Sequence, residues 1–294
     1  MNTHKAGFVN IIGKPNVGKS TLMNLLVGER LSIISPKAQT TRHRIKGIVS
    51  GDDYQIVFSD TPGILKPNYL LHKKMMDFVD IAMQDADLVL YITDIYENFE
   101  NEEVLEMLKK TDSPTILLIN KIDESNEEAL VVLVNKWKAL HQFNEILPIS
   151  ALHNFNVDKI LQYVVNHLPE SPPYFPKDQL TDLSERFFVS EIIREKIFLT
   201  YQKEIPYSCE VGIEEFKEEA LITKIRANIY VERESQKGIV IGHKGSMLKK
   251  VGTAARKDIE QFIGSQVYLE LFVKIKDDWR TKPQQLKSFG YDNT

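Results

Sequence analysis

A mostly parallel α/β sheet of six strands, followed by a smaller α+β domain, is the fold class that three features of this 294-residue sequence predict. Strand-like apolar runs alternate with helical patterns over residues 8–168. Four of the loops that follow such runs carry short polar motifs. Four prolines within residues 169–176 then separate this half from one with a different rhythm.

In order, the strand candidates are residues 7–12, 44–50, 54–59, 88–93, 115–119 and 145–149. Gly51-Asp52-Asp53 reads as a hairpin turn, so the second and third strands should pair antiparallel within an otherwise parallel sheet. After a possible Asn156 cap, Val157, Ile160, Leu161, Val164, Val165 and Leu168 repeat at helical spacing and predict a core-facing stripe. Leu130, Val131, Leu133, Val134 and Trp137 read likewise as packing. His72, His141, His153 and His167 have no metal-ligand spacing.

Composition bounds the function classes. Hydrophobic residues make up 43%, enough for real cores, and the formal net charge is -4. Residues 1–179 carry 18 Lys+Arg against 23 Asp+Glu and residues 180–294 carry 19 against 18, so neither half is a basic tail. The single cysteine, Cys209, excludes a disulfide framework, fits a reducing cytosol and reads as a packed thiol. The sequence enters its first strand soon after Met1 and holds no apolar run of membrane-spanning length, so neither a leader nor a membrane helix is expected.

The first loop motif is Gly13-Lys14-Pro15-Asn16-Val17-Gly18-Lys19-Ser20, between an apolar strand and Thr21-Leu22-Met23-Asn24. Glycines at both ends let backbone N–H groups curl around an anion, and the helix that follows adds its positive end. Lys19 would reach β- and γ-phosphates and the Ser20 hydroxyl would hold Mg²⁺. In the second motif, Asp60-Thr61-Pro62-Gly63, a strand-end carboxylate can hold Mg²⁺ through water and the Gly63 N–H can meet a γ-phosphate.

The third motif, Asn120-Lys121-Ile122-Asp123, discriminates between bases. Guanine presents N1–H and an exocyclic amine side by side, two donors that one carboxylate accepts together, and adenine has no such pair. Asp123 would select guanine, Asn120 would bond the base or brace neighbouring loops, and the Lys121 stem would cover the ring. In the fourth, Ser150-Ala151-Leu152, a backbone N–H would meet the guanine O6. Between the first two motifs, residues 35–44 form a polar loop without periodicity, able to present a threonine to the metal.

These four motifs in this order resemble the translation-factor-like class of GTPases, and Thr40-Thr41-Arg42 resembles switch I of the group that includes Era, Der and the tRNA-modification GTPases. The resemblance implies a Ras-like P-loop GTPase domain over residues 5–171. Nucleotide contacts would come from Gly13, Lys14, Pro15, Asn16, Val17, Gly18, Lys19, Ser20 and Thr21, and from Asp60, Thr61, Pro62, Gly63 and Ile64. Others would come from Asn120, Lys121, Ile122 and Asp123 and from Ser150, Ala151 and Leu152. Magnesium would sit on Ser20, Thr41 and Asp60, with Thr40 the alternative to Thr41. Lys19, Asn16, Thr41 and Gly63 would carry hydrolysis. In similar families Asn16 helps hold K⁺ beside the phosphates. Ile64 stands where Ras-type proteins have a water-orienting glutamine, which implies slow intrinsic hydrolysis.

Beyond the proline-rich linker, 169–180, residues 187–197 have helical periodicity and residues 207–216 and 221–232 read as strands. Then come an apolar helix, the loop Gly242-His243-Lys244-Gly245, a second helix and a last strand, 267–275. This order resembles a KH domain of type II topology, covering 181–280. Two glycines let a nucleic-acid backbone approach closely and the next helix points its N-terminus at the phosphates. Residues 237–257 hold Lys237, Lys244, Lys249, Lys250, Arg256 and Lys257 and no acidic residue. The RNA-binding set is Lys237, Ile239, Ile241, Gly242, His243, Lys244, Gly245, Ser246, Lys249 and Lys250, with the bases in a groove lined by Ile239, Ile241 and Leu248. The tail, 281–294, should form a short helix after Pro283, and Trp279 should pack against the domain.

A guanine-specific switch domain joined to a type II KH domain resembles the Era family of bacterial GTPases. The resemblance implies binding to the 3′ region of small-subunit ribosomal RNA and a role in assembly of the small ribosomal subunit. It further implies a cytoplasmic monomer that cycles between GTP and GDP, and it leaves room for peripheral inner-membrane association. A plain P-loop phosphotransferase is opposed by Asn120-Lys121-Ile122-Asp123. An RNA-binding module that uses hydrolysis as a timer differs from the main reading in degree.

Overall fold

The computed structural model describes residues 4–99 and 102–292. The expectations for Met1 to Thr3 and for the last two residues of the tail lie outside the described residues. The chain divides into two compact units, one made of Met1–Ser32, Thr41–Lys66 and Met75–Asp182, the other of Ile33–Thr40, Pro67–Lys74 and Leu183–Thr294.

In the first unit six strands run in the order β2-β3-β1-β4-β5-β6. They are β1 (Lys5–Ile12), β2 (Ile45–Ser50), β3 (Tyr54–Asp60), β4 (Leu88–Asp94), β5 (Thr115–Asn120) and β6 (Glu145–Pro148). β2 pairs antiparallel with β3 and the remaining pairs are parallel. Every residue of β4 and β5 is buried, as expected of central parallel strands covered on both faces. Successive side chains alternate between two cores. Leu88, Leu90 and Ile92 join the one covered by α1 (Lys19–Val27) and α5 (Val157–His167). Val89 and Tyr91 join the one covered by α2 (Leu70–Gln84), α3 (Glu102–Lys109) and α4 (Glu127–Leu140). The α5 stripe packs as its spacing predicts, whereas Val131 and Val132 of α4 face solvent. Asn156 holds the cap position with φ 61° and no capping bond; its amide donates instead to the Pro148 carbonyl.

The proline-rich segment is extended but does not hang free. Glu170 bridges to Lys5, the Ser171 N–H donates to the His4 carbonyl, and the Ile48 N–H of the edge strand donates to the Leu180 carbonyl. Thr181 bonds the Lys46 carbonyl and Lys46 pairs with Asp182 at 2.9 Å. At the centre is Gln55, fully buried on β3. Its Oε1 accepts from the N–H groups of Tyr174 and Phe175 at 2.7 and 2.9 Å, and its Nε2 donates to the Phe175 carbonyl and to Ser50. Prolines cannot supply these donors, so Tyr174 and Phe175 between them do. The segment thereby covers the exposed edge of β2.

In the second unit α6 (Glu185–Thr200) and α7 (Ile205–Ser208) precede a sheet in the order β7-β8-β9. The strands are β7 (Glu210–Glu218), β8 (Ile222–Val231) and β9 (Gln266–Ile275), with β7 antiparallel and β9 parallel to β8. Tyr207 and Ser208, expected in a strand, lie in α7, where Pro206 starts the turn. Between β8 and β9 come α8 (Glu234–Ile241) and α9 (Ser246–Ile263). Ile225, Ala227, Ile229 and Val231 of β8 meet Val251, Ala255 and Ile259 of α9 in one core, with Cys209 buried beside them. The tail folds back as α10 (Pro283–Ser288): Trp279 donates to the Ser208 carbonyl at 2.9 Å and Tyr291 to Glu210 at 2.6 Å. Residues 33–40 belong to this unit, where the Lys37 ammonium donates to the carbonyls of Phe198 and Tyr201 at the end of α6.

Replacing Gln55 by Leu leaves two N–H groups and a carbonyl of the strap without partners, at a cost of about 2 kcal/mol. Hydrogen exchange at the Tyr174 and Phe175 amides should accelerate roughly 30-fold. Unchanged protection would mean that the prolines alone hold the strap.

Candidate nucleotide and nucleic-acid sites

The carboxyl ends of β1, β3, β5 and β6 bring all four motifs of the first unit to one edge of the sheet, beside the point where strand order reverses around β1. The 13–20 loop leads into α1 through Gly18 at φ 102°. A β-carbon there would stand 2.2 Å from Asn120 Nδ2, so only glycine fits. Asn16, at φ 64°, is exposed at the loop's tip. The Lys14 ammonium pairs with Glu97, so its side chain braces the loop from the end of β4 rather than facing it. Burial works against ionised Glu97, but Lys14, the Phe99 N–H and Thr93 outweigh it and hold its pKa low.

Lys19 is buried, its ammonium donating to the carbonyls of Gly13 at 3.1 Å and Lys14 at 2.7 Å. Desolvation lowers its pKa to about 8 against the opposing pull of Asp60. Beside it three oxygen side chains converge. Ser20 Oγ donates to Asp60 Oδ2 at 2.7 Å, Thr41 Oγ1 lies 2.9 Å from Ser20 Oγ, and Thr41 also reaches Asp60 Oδ2 at 3.3 Å. Burial pushes the Asp60 pKa up, while Lys19 and the hydroxyls of Ser20, Ser32 and Thr41 oppose that. Asp60 is fully buried and its second oxygen, Oδ1, has no hydrogen-bond partner. An orphaned carboxylate oxygen beside two hydroxyls fits a hard divalent cation. Thr40, the alternative, directs its hydroxyl to Ser35 and the Lys37 carbonyl within its own loop.

The neighbouring residues divide into those that support and those that face the site. Thr61 donates to the Ile11 carbonyl and Ile64 buries its side chain in the core while its N–H donates to the Gly13 carbonyl. Ile64 therefore offers the phosphate region no side chain, for a packing reason. Pro62 is buried, and Gly63 lies so close to Pro15 that a β-carbon would meet its backbone at 2.8 Å.

At the base end Asn120 is buried and acts as a brace: its amide donates to the Val17 carbonyl at 2.8 Å and accepts from the Ala151 N–H at 2.9 Å. Of the backbone N–H groups in Ser150-Ala151-Leu152, that of Ala151 is directed to Asn120 and that of Ser150 to the Phe155 carbonyl. Lys121, at φ 62°, pairs with Asp94 at 2.6 Å and passes over the Tyr96 ring. Asp123 follows in a 3₁₀ turn, Ile122–Glu124. The Ser150 hydroxyl foremost, then its own N–H, His153 and Lys121, hold its pKa low, so it presents an ionised acceptor. Leu152 is largely exposed beside it. Asp94 and Glu97 were not readable as site residues; each shows its role only through the cation it holds.

In the second unit α8 stops at Gly242 (φ 71°), where a β-carbon would lie 2.5 Å from Met247 Cγ, and α9 starts after Gly245. His243, Lys244, Ser246, Lys249 and Lys250 are exposed, and Lys237 is half-buried. A groove of about 520 Å³ runs along α9, but not where Ile239 and Ile241 place it. Leu248, Lys249, Thr253 and Arg256, one face of α9, form one wall and Tyr268 and Leu271 of β9 help form the other. Ile239 is exposed and Ile241 half-buried on α8, away from this lining. Thr253 and Tyr268 are lining residues that the sequence left unmarked, and Arg256, read there only as part of the basic stripe, joins them; for the two on α9 the helical spacing from Gly245 was the available signal. Among the described residues no helix is long and apolar enough to cross a membrane.

Residues 8–121 match the family described as 50S ribosome-binding GTPase and residues 204–280 the KH domain family. The chain is 46% identical to GTPase Era of Staphylococcus haemolyticus over 99% of its own length and 98% of the relative's. It is also 46% identical to GTPase Era of Clostridium kluyveri, over 98% and 99%. A crystal structure of Era in complex with MgGDPNP and nucleotides 1506–1542 of 16S ribosomal RNA superposes with TM-score 0.95 at 40% identity, covering 99% of this chain and all of the other. A tyrosine-to-alanine variant of Era from Aquifex aeolicus, bound to GDP·AlF4⁻, gives TM-score 0.93 at 40% identity, covering 98% of this chain and all of the other. Identity at this level across both units, together with the four loop motifs at one sheet edge, means that the chain belongs to the Era family of GTPases.

Proposed function

We propose that the chain is a GTP-hydrolysing switch that binds the 3′ region of small-subunit ribosomal RNA and assists assembly of the small ribosomal subunit. The carrying observation is the joint arrangement at one sheet edge of buried Lys19, the Ser20–Thr41–Asp60 oxygen cluster and the ionised Asp123. The Era relative solved with MgGDPNP and 16S ribosomal RNA supports the same ligands here. The setting proposed is the bacterial cytoplasm, as a monomer, with any membrane association peripheral.

Ser20, Thr41 and Asp60 would hold Mg²⁺, which supplies positive charge to the β- and γ-phosphates. The N–H groups of the 13–20 loop and the N-terminus of α1 bind the phosphates, and Lys19 adds a charge that need not be desolvated again. The Gly63 N–H meets the γ-phosphate. No side chain at Ile64 orients the attacking water, so intrinsic turnover should be slow, and Asn16 would help hold a K⁺ ion that would supply the charge an arginine finger supplies elsewhere. At the other end Asp123 accepts from guanine N1–H and its amine, Asn120 fixes the loops around the base, and Lys121 covers the ring. In the second unit the Gly242–Gly245 loop takes the RNA backbone and the α9–β9 groove takes the bases.

Replacing Asp123 by Asn should weaken GTP binding roughly 100-fold, because an amide cannot accept both guanine donors, and should favour xanthosine triphosphate. Retained guanine preference would overturn the base assignment. The pair His243→Asp and Lys244→Asp should weaken binding of a single-stranded RNA from the small-subunit 3′ end on the order of 100-fold and flatten its salt dependence. GTP affinity should not change, and unaltered RNA binding would remove the loop from the interface. Turnover in KCl should exceed that in NaCl, with the difference abolished by Asn16→Ala; equal rates in the two salts would dispose of the K⁺ site.

A further inference from the structure

One strand end at the nucleotide edge carries none of the four motifs. β4 ends at Asp94 between β1 and β5, in register with Asn120, and the turn that follows it, residues 94–98, grips the loops of both neighbours. Towards the base loop, Asp94 Oδ2 accepts from the Lys121 ammonium at 2.6 Å while its Oδ1 accepts from the Tyr96 N–H at 3.0 Å, and the Tyr96 hydroxyl donates to Glu124 at 2.8 Å. Lys121 and Glu124 bracket Asp123. Towards the phosphate loop, Glu97 pairs with Lys14 and is itself held by Thr93 and the Phe99 N–H.

The base loop needs such a hold. Lys121 stands in left-handed backbone at φ 62°, which a residue with a β-carbon adopts at a cost, and the 3₁₀ turn after it, Ile122–Glu124, has weaker internal hydrogen bonds than an α-helix. Asn120 braces this loop at its root, and Asp94 and Tyr96 grip it one and four residues further on. A carboxylate that accepts two guanine donors together must face the base edge squarely, because a tilt keeps one bond and loses the other. We propose that Asp94 and Tyr96 are positioning residues for guanine recognition, fixing the turn that carries Asp123 so that both carboxylate oxygens meet the base. The proposal rests on the guanine reading above.

The test measures binding of GTP and inosine triphosphate to the full chain by displacement of a fluorescent GDP analogue, with thermal stability recorded alongside. Inosine keeps N1–H and lacks the exocyclic amine, so the ratio of the two affinities reports the second hydrogen bond to Asp123. Asp94→Asn, which keeps an acceptor for the Tyr96 N–H but loses the charge facing Lys121, should lower that ratio about 5-fold. Tyr96→Phe, which removes one hydroxyl from an exposed ring, should lower it roughly 3-fold. Glu97→Gln, acting at the phosphate end, should weaken both nucleotides alike, and Asp94→Asn should add nothing further in a Lys121→Met background. An unchanged ratio in Asp94→Asn and Tyr96→Phe, or a loss shared equally by the two nucleotides, would overturn the proposal. So would a Glu97→Gln shift in the ratio as large as that of Asp94→Asn, or full additivity of Asp94→Asn with Lys121→Met, since either would give Asp94 a merely structural part. A native chain that binds GTP and inosine triphosphate equally would instead remove the guanine reading itself, and this proposal with it.

Discussion

Asp60 is buried to the last atom, with donors on one of its oxygens and none on the other, and the nucleotide end of the molecule is arranged around that imbalance. An unsatisfied buried acceptor costs on the order of 1–3 kcal/mol, more when charged. Lys19, its near neighbour, is buried at a similar penalty in the opposite sign, which is why its pKa falls to about 8. Each charge partly offsets the other, yet neither is fully satisfied by the protein. A ligand made of phosphate alone would relieve Lys19 and repel Asp60, and a cation alone would do the reverse. A metal–phosphate pair answers both, and whatever binds the native fold in this way also stabilises it.

Positioning at the base end rests on different physics. Asn120 carries no charge, but its amide joins the phosphate loop at Val17 to the last loop at Ala151, so one side chain ties together loops separated by more than a hundred residues. The Ser150 hydroxyl, on a braced loop, holds the Asp123 pKa below the usual carboxylate value. Asp123, the residue proposed to select the base, is exposed, and Asn120, which ties the loops around it, is buried. Substituting the first changes specificity, whereas substituting the second changes everything that the brace connects.

This division explains what was legible in the sequence. Strand, glycine loop and helix are local patterns, and so the sheet, the phosphate loop and the order of the four motifs could be read from residue types alone. The hairpin at Gly51-Asp52-Asp53 was legible for the same reason. Gln55 was not, because a glutamine in a strand looks like a solvent-facing residue until its partners, over a hundred residues away, are in place. The choice between Thr40 and Thr41 turned on which hydroxyl a turn had already consumed. Which N–H groups of residues 150–152 are already engaged was not legible either, because the Ala151 N–H bonds Asn120 and the Ser150 N–H bonds Phe155 only in the folded chain. The α9–β9 groove was missed on its β9 side, since Tyr268 and Leu271 are ordinary strand residues until a helix lies beside them.

The second unit shows how a nearly neutral domain can still present a basic surface. Its cations and anions are not mixed evenly but sorted by face. On the sheet, Arg226 pairs with Glu270 and Glu215, Lys274 with Glu214 and Lys224 with Glu219, so the charges there cancel at short range. Along the loop and α9, Lys244, Lys249, Lys250 and Lys257 have no carboxylate partner among the described residues, and Arg256 lines the groove itself. Beyond about 10 Å at ordinary salt the paired face contributes little field. The unpaired side of the domain is therefore what a polyanion meets, and it meets it next to a loop whose backbone can be approached closely and a groove that mixes apolar side chains with Lys249 and Arg256. Net charge would have hidden this; the placement of eighteen acids away from one twenty-one-residue stretch, residues 237–257, is what produces it.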